Sequence, residues 1–198
     1  MAERGSRETR TRTMQPPPTL IRMTMAYLPY ADLDSPQARP LVQRIVAERG
    51  SVLHLYQMLL HSPPLAAGWL GYLSAVRQQL SLPGALRELV IMRVAQLNGA
   101  PYEAQQHAPI ALTEGITAAQ LQALEQWGES PLFDAPQRAA LALCDTMTLQ
   151  VQVPRAMLQA VQQHLGEQQT VELVATVAAY NMVSRFLEAL HIHDDDER

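Results

Sequence analysis

From residue 35 onward, apolar residues recur at the three- and four-residue spacing of helices that bury one face, and polar punctuation separates the runs. Ser35 and Pro36 open the first predicted helix, Leu41, Ile45 and Val46 give its apolar stripe, and Gly50 ends it. Ser62 and Pro63 repeat the device before LAAGWLGYLSAVRQQL. A third run holds Leu86, Leu89, Val90, Arg93, Val94 and Leu97 and stops at Asn98-Gly99, a pair suited to the left-handed helix terminus. The next predicted helix spans Pro101 to Gly115, with Pro109 expected to kink it just after His107. Thr117 with Gln120 and Asp134 with Gln137 have capping-box spacing, and Ile116 with Leu121 stand at staple positions. Pro154 begins a helix that Gly166 ends, and 168–190 reads as one long apolar helix. No stretch alternates with the period of a strand, so the fold class is all-α.

The pattern divides the chain into three parts. Residues 1–34 are expected to be a disordered N-terminal tail, Arg-rich and then Pro-rich at Pro16, Pro17 and Pro18. Within it, Met23, Met25, Tyr27 and Leu28 mark a candidate oligomerisation arm, too apolar to be left in water. Residues 35–190 form the helical domain, and 191–198 an acidic C-terminal tail. With 198 residues and 47% hydrophobic content the chain can build one sizeable core.

Composition narrows the chemistry. A net charge of −4, spread along the chain, lacks the clustered basic face of a nucleic-acid binder. No apolar run is expected to approach the roughly 18 residues of a membrane span, and the N-terminus has no apolar signal core, so a cytoplasmic protein is the expectation. The single cysteine, Cys144, excludes an intrachain disulfide and a CxxC motif. All 15 basic side chains are arginine, which removes Schiff-base and lysine general-base chemistry.

One segment, RELVIMRVAQLNGAPYEAQQHAPIALTEG, carries candidate chemistry. Glu103 and His107 are four apart and share a helix face, with Tyr102 about 100° round from Glu103. The tight Asn98–Pro101 connection should fold the two helices into an antiparallel αα-hairpin. Glu88 and His107 lie at comparable distances on either side of that turn. At about 1.5 Å per residue they come within a turn or so of the same height. A carboxylate facing an imidazole in an apolar interior makes a proton-transfer pair, although such a pair between helices is more often a structural hydrogen bond.

This segment resembles the carboxymuconolactone decarboxylase and AhpD-like (alkylhydroperoxidase) superfamily, over roughly 35–190 and most strongly over 86–117; YNMVSRFLEALHI looks like the family's closing helix. The redox members carry C-x-x-C-x-x-x-H preceded by a glutamate. Here Glu88 and His107 stand, while Ala100 and Glu103 occupy the two thiol positions and Tyr102 that of a second relay histidine. The resemblance implies an AhpD-like helical bundle assembled as a homotrimer or homohexamer. It assigns the proton relay to Glu88 and His107.

Further pocket candidates are His54 and Tyr56, in a segment that resembles the longer family members, together with Glu103 and Arg93. Cys144 reads as buried and structural, and Arg185 as a partner for Glu172, Glu188 or a neighbouring subunit, or as a fork for a substrate carboxylate. His191, His193 and the aspartates that follow lack the preorganised shell of a metal site, so neither metal nor organic cofactor is expected. The first functional expectation is a decarboxylase-like enzyme moving protons on a small carboxylated or lactone-type molecule. His107 would be the acid/base, Glu88 its orienting partner and Tyr102 an oxyanion donor. The alternatives are a peroxidase-related protein and a catalytically silent oligomeric binding or scaffold protein.

Overall fold

The computed structural model describes residues 26–193, so the expected tail at 1–25 and the aspartates of the 191–198 tail lie outside the described residues. The described residues form eight α-helices and no strand. They are α1 (Arg39–Arg49), α2 (His54–Leu59), α3 (Pro63–Gln78), α4 (Gly84–Leu97), α5 (Pro101–Thr113), α6 (Ala118–Ala123), α7 (Ala135–Gln150) and α8 (Arg155–Leu190).

The centre of the bundle is α4, which packs against α5, α7 and α8. Its Leu89, Val90, Ile91 and Val94 have no exposed surface. A helix apolar on several sides must be covered on several sides, and this is why α4 lies in the middle. Full burial of each such side chain contributes about 1.5–3 kcal/mol.

Helix ends follow local chemistry. In both predicted capping boxes, the Thr117–Gln120 and Asp134–Gln137 pairs exchange their two backbone-to-side-chain hydrogen bonds. The start of α1 is later than expected: Ser35 caps a turn through the Ala38 N–H at 3.3 Å, and the helix begins at Arg39 with Pro40 in its first turn. Ser62 precedes α3 without a side-chain cap bond. Gly99, at φ 62°, ends α4, and the Ala100 N–H reaches back to the Ala95 carbonyl at 2.9 Å. Only glycine enters that left-handed conformation without strain, and three residues beyond Leu97 are enough to reverse the chain into α5. The helix α5 continues through Pro109 to Thr113.

Helix α8 is interrupted at Gly166, at φ 72° and ψ −177°, where two separate helices were expected. It is long and apolar enough by composition to cross a bilayer, contrary to the expectation that no run would be. Its Leu173, Val177, Val183 and Leu187 are buried in the common core instead. Residues 26–34 lie against their own chain: the Tyr27 N–H donates to the Leu190 carbonyl at 3.0 Å, and the Tyr30 ring stacks on His54 with centroids 4.8 Å apart.

Candidate functional site

Antiparallel packing of α4 on α5 puts Glu88 and His107 side by side. The His107 Nδ1–H donates to Glu88 Oε2 at 2.6 Å, and both side chains are buried. One turn earlier on α5, Glu103 Oε1 lies 3.3 Å from His107 Nε2. The imidazole is therefore held between two carboxylates, one from each arm of the hairpin. Arg87 Nε donates to the other Glu88 oxygen at 3.1 Å and its guanidinium also reaches Glu114 at 3.0 Å.

These contacts decide the protonation. Burial pushes the His107 pKa down most strongly, but the hydrogen bonds and charges of Glu103 and Glu88 outweigh it, and the value is raised above that of a free histidine. For Glu88, burial pushes up most strongly; the His107 hydrogen bond and charge, with Arg87, more than reverse this and lower the value. Both shifts favour the same ion pair, a carboxylate at Glu88 with a protonated His107, and each ring nitrogen faces a carboxylate oxygen.

Beside the imidazole lies a cavity of about 80 Å³. Glu103, His107, Tyr102, Gln106 and Ile110 come to it from α5, Tyr56 from α2, Leu73 and Arg77 from α3, and Tyr180 and Val183 from α8. Glu88 does not reach the wall, so it supports His107 from behind. Tyr180 was not anticipated: its ring meets His107 edge-on at 5.0 Å, and its hydroxyl has no hydrogen-bond partner among the described residues. Burial raises its pKa well above the ordinary phenol value, and the nearby Glu103 charge adds to this. Arg77, in the last turn of α3, was not anticipated either. The one available signal was a polar-tipped residue in an otherwise apolar run.

Several expected residues lie elsewhere. Arg93 is not a cavity residue: it makes a two-pronged ion pair with Asp145, at 2.7 and 2.8 Å, and also donates to Gln96 and the Leu124 carbonyl. Its position on α4 points it at α7, away from α5, and Trp127 donates to the same carboxylate at 3.0 Å. His54 stands just outside the cavity wall, stacked at a centroid distance of 6.4 Å from Tyr102, with Nδ1 against the His193 carbonyl at 2.9 Å. Arg185 meets Asn181 at 2.8 Å and, among the described residues, neither Glu172 nor Glu188. Cys144 is buried against the Val90 carbonyl, its thiol pushed up to about 12 by burial and by the neighbouring Asp145. No cluster of metal-ligating side chains occurs among the described residues.

Comparison with known proteins gives a consistent picture. The Carboxymuconolactone decarboxylase family model matches residues 63–146, which include the whole α4–α5 hairpin. The chain is 30% identical over 115 residues to "Uncharacterized protein YdfG" of Bacillus subtilis (strain 168), spanning 57% of this chain and 78% of that one. Among solved structures, the AhpD core of a peroxidase-related protein from Ralstonia eutropha JMP134 is similar with a TM-score of 0.73 at 16% identity, covering 85% of this chain and 92% of that one. A variant of the debrominase Bmp8, in complex with 2,3,4-tribromopyrrole, has a TM-score of 0.69 at 19% identity, covering 83% and 88%. At these identities the solved structures speak for the fold.

Proposed function

This chain belongs to the carboxymuconolactone decarboxylase and AhpD-like superfamily, and from that premise we propose that it is a cofactor-independent enzyme moving protons on a small carboxylated or lactone-type ring. The observation that carries this reading is His107, clamped between Glu88 and Glu103 on the wall of a cavity. In a decarboxylation, the electron pair of the breaking C–C bond enters the conjugated carbonyl, CO2 leaves, and an enolate remains. His107 Nε2–H, with Glu103 beside it, gives its proton to the enolate carbon, and solvent replaces that proton. Glu88 holds the ring orientation and keeps the imidazole basic, and Tyr102 supplies a hydroxyl for the developing oxyanion. A positioned acid of this kind contributes typically about 10²–10⁴ in rate.

Thiol peroxidase chemistry finds no support in the site. Ala100 and Glu103 hold the two thiol positions, and Cys144 is a buried, strongly protonated thiol outside the cavity. The silent binding-protein reading draws support from the cavity's size, since about 80 Å³ is well below the ~150 Å³ cavity that holds a benzene in an engineered lysozyme. For the enzyme, the same fact restricts the buried part of the substrate to little more than its reacting end.

Proton transfer is read directly by NMR. Lactone carboxylates incubated in D2O should gain deuterium at the carbon beside the carbonyl with the wild-type protein, and His107→Gln should reduce this at least about 100-fold. Exchange at the uncatalysed rate with wild type across such a panel would overturn the enzymatic reading.

A further inference from the structure

The cavity wall has a second polar end that the proton relay leaves unused. Arg77 lines the cavity from the last turn of α3, half-buried. Among the described residues it makes neither a hydrogen bond nor an ion pair. A cation is favourable at a helix C-terminus through the helix dipole, which accounts for its place in sequence. It does not account for a guanidinium left without an acceptor beside Leu73 and Val183. The second observation is Tyr180 on α8, fully buried, which lines the same cavity and whose hydroxyl has no partner among the described residues. Leaving a buried hydroxyl unsatisfied costs about 1–3 kcal/mol, and an acceptor supplied from outside the chain relieves it.

We propose that Arg77 and Tyr180 together form an anchoring subsite for a carboxylate of the ligand, a carboxylate that the reaction retains. A planar guanidinium fork matches the two oxygens of a carboxylate, and a phenol O–H satisfies a further lone pair. Both groups line one cavity, and of the charges acting on the Tyr180 hydroxyl Glu103 is the strongest and Arg77, of opposite sign, the next. The Tyr180 ring touches His107 edge-on with centroids 5.0 Å apart, and both line the cavity, so a carboxylate held at this end lies in the same small space as the acid. Glu103 lines the same cavity and repels an anion, so the carboxylate belongs at the Arg77 end of the cavity rather than against His107. Anchoring deepens the proposed function and rests on the reading that this cavity receives a small ligand, but not on any reaction occurring there.

Equilibrium binding of 2-furoate and of its neutral isostere 2-furamide, measured by isothermal titration calorimetry, tests the anchor on the full chain. Wild type is expected to bind 2-furoate at least about tenfold more tightly than 2-furamide, a difference of ~1.4 kcal/mol. Arg77→Gln should abolish that preference, Arg77→Lys should keep part of it, and Tyr180→Phe should weaken 2-furoate about three- to tenfold. Circular dichroism establishes that each variant is folded, and a surviving carboxylate preference in folded Arg77→Gln overturns the proposal. So does failure of wild type to bind 2-furoate at millimolar concentration. Binding that depends on Arg77 without deuterium exchange on any lactone leaves the anchor standing and removes the enzyme; exchange without Arg77-dependent binding does the reverse.

Discussion

Replacing His107 by alanine tests the electrostatic account of the hairpin most directly. In the folded protein the imidazole is the ion-pair partner of Glu103 and one of two for Glu88, and all three side chains are buried. Removing one member of a buried ion pair costs about 3–5 kcal/mol because the charge left behind has lost its counterion. Arg87 still holds Glu88 at 3.1 Å, which places the expectation near the lower end, at about 3 kcal/mol. For a domain of this size that corresponds to a fall in Tm of roughly 6–12 °C. The pH dependence carries the sign. A histidine whose folded pKa is raised contributes stability that is fully present below its unfolded value of ~6.5 and is lost as pH rises through the folded value. Glu88, whose folded pKa is lowered, contributes above its unfolded value of about 4.3 and loses that contribution as pH falls through the folded one. Urea unfolding followed by circular dichroism should therefore show the largest gap between wild type and His107→Ala near pH ~6, narrowing toward pH ~9. A gap that is flat across that range would refute the reasoning and make His107 a neutral packing residue.

Three further outcomes are expected. Peroxide consumption with a dithiol donor should stay at background, and Cys144→Ser should leave any turnover unchanged; peroxidase turnover that depends on Cys144 would contradict the site assignment. Leu149 and Val171 are 64% and 68% exposed, which leads us to propose a homotrimer or homohexamer, and light scattering should report a mass several times the 22.0 kDa of one chain. Val151 closes α7 at φ 67° and ψ −50°, in a tight turn where the Gln152 N–H reaches the Gln150 carbonyl at 2.8 Å. A β-branched residue is strained there, so Val151→Gly should raise stability by about 1 kcal/mol, and a lowered urea midpoint would show that the strain is absent.

The helices were legible because their signals are local. Both capping boxes, the Asn98-Gly99 stop and the three-plus-four apolar spacing act within a few residues, so sequence spacing alone located α4 through α7. Glu103 beside His107 was legible for the same reason, being one helical turn away. The Glu88–His107 pairing needed only one more step, a short turn and the rise per residue. Arg77 and Tyr180 were not legible, since α3 and α8 reach the cavity through tertiary packing of segments about a hundred residues apart. Arg93 misled for a related reason: it shares α4 with Glu88, but five positions along the helix carry it about 140° round, to the face that meets Asp145.

The α4–α5 hairpin is fastened at both ends. The turn at Gly99 closes one end, and at the other the Glu114 carboxylate binds Arg87 and occupies the space a Cβ on Gly84 would need. Neither arm can slide, and Glu88 and His107 are 19 positions apart in the chain. Inserting or deleting one residue within either helical arm between them would turn one partner by about 100° and shift it by about 1.5 Å. Chains that use this pair can therefore diverge in composition across the segment far more freely than in length, and an indel there should be a more reliable sign of a lost site than any single substitution in the helix walls.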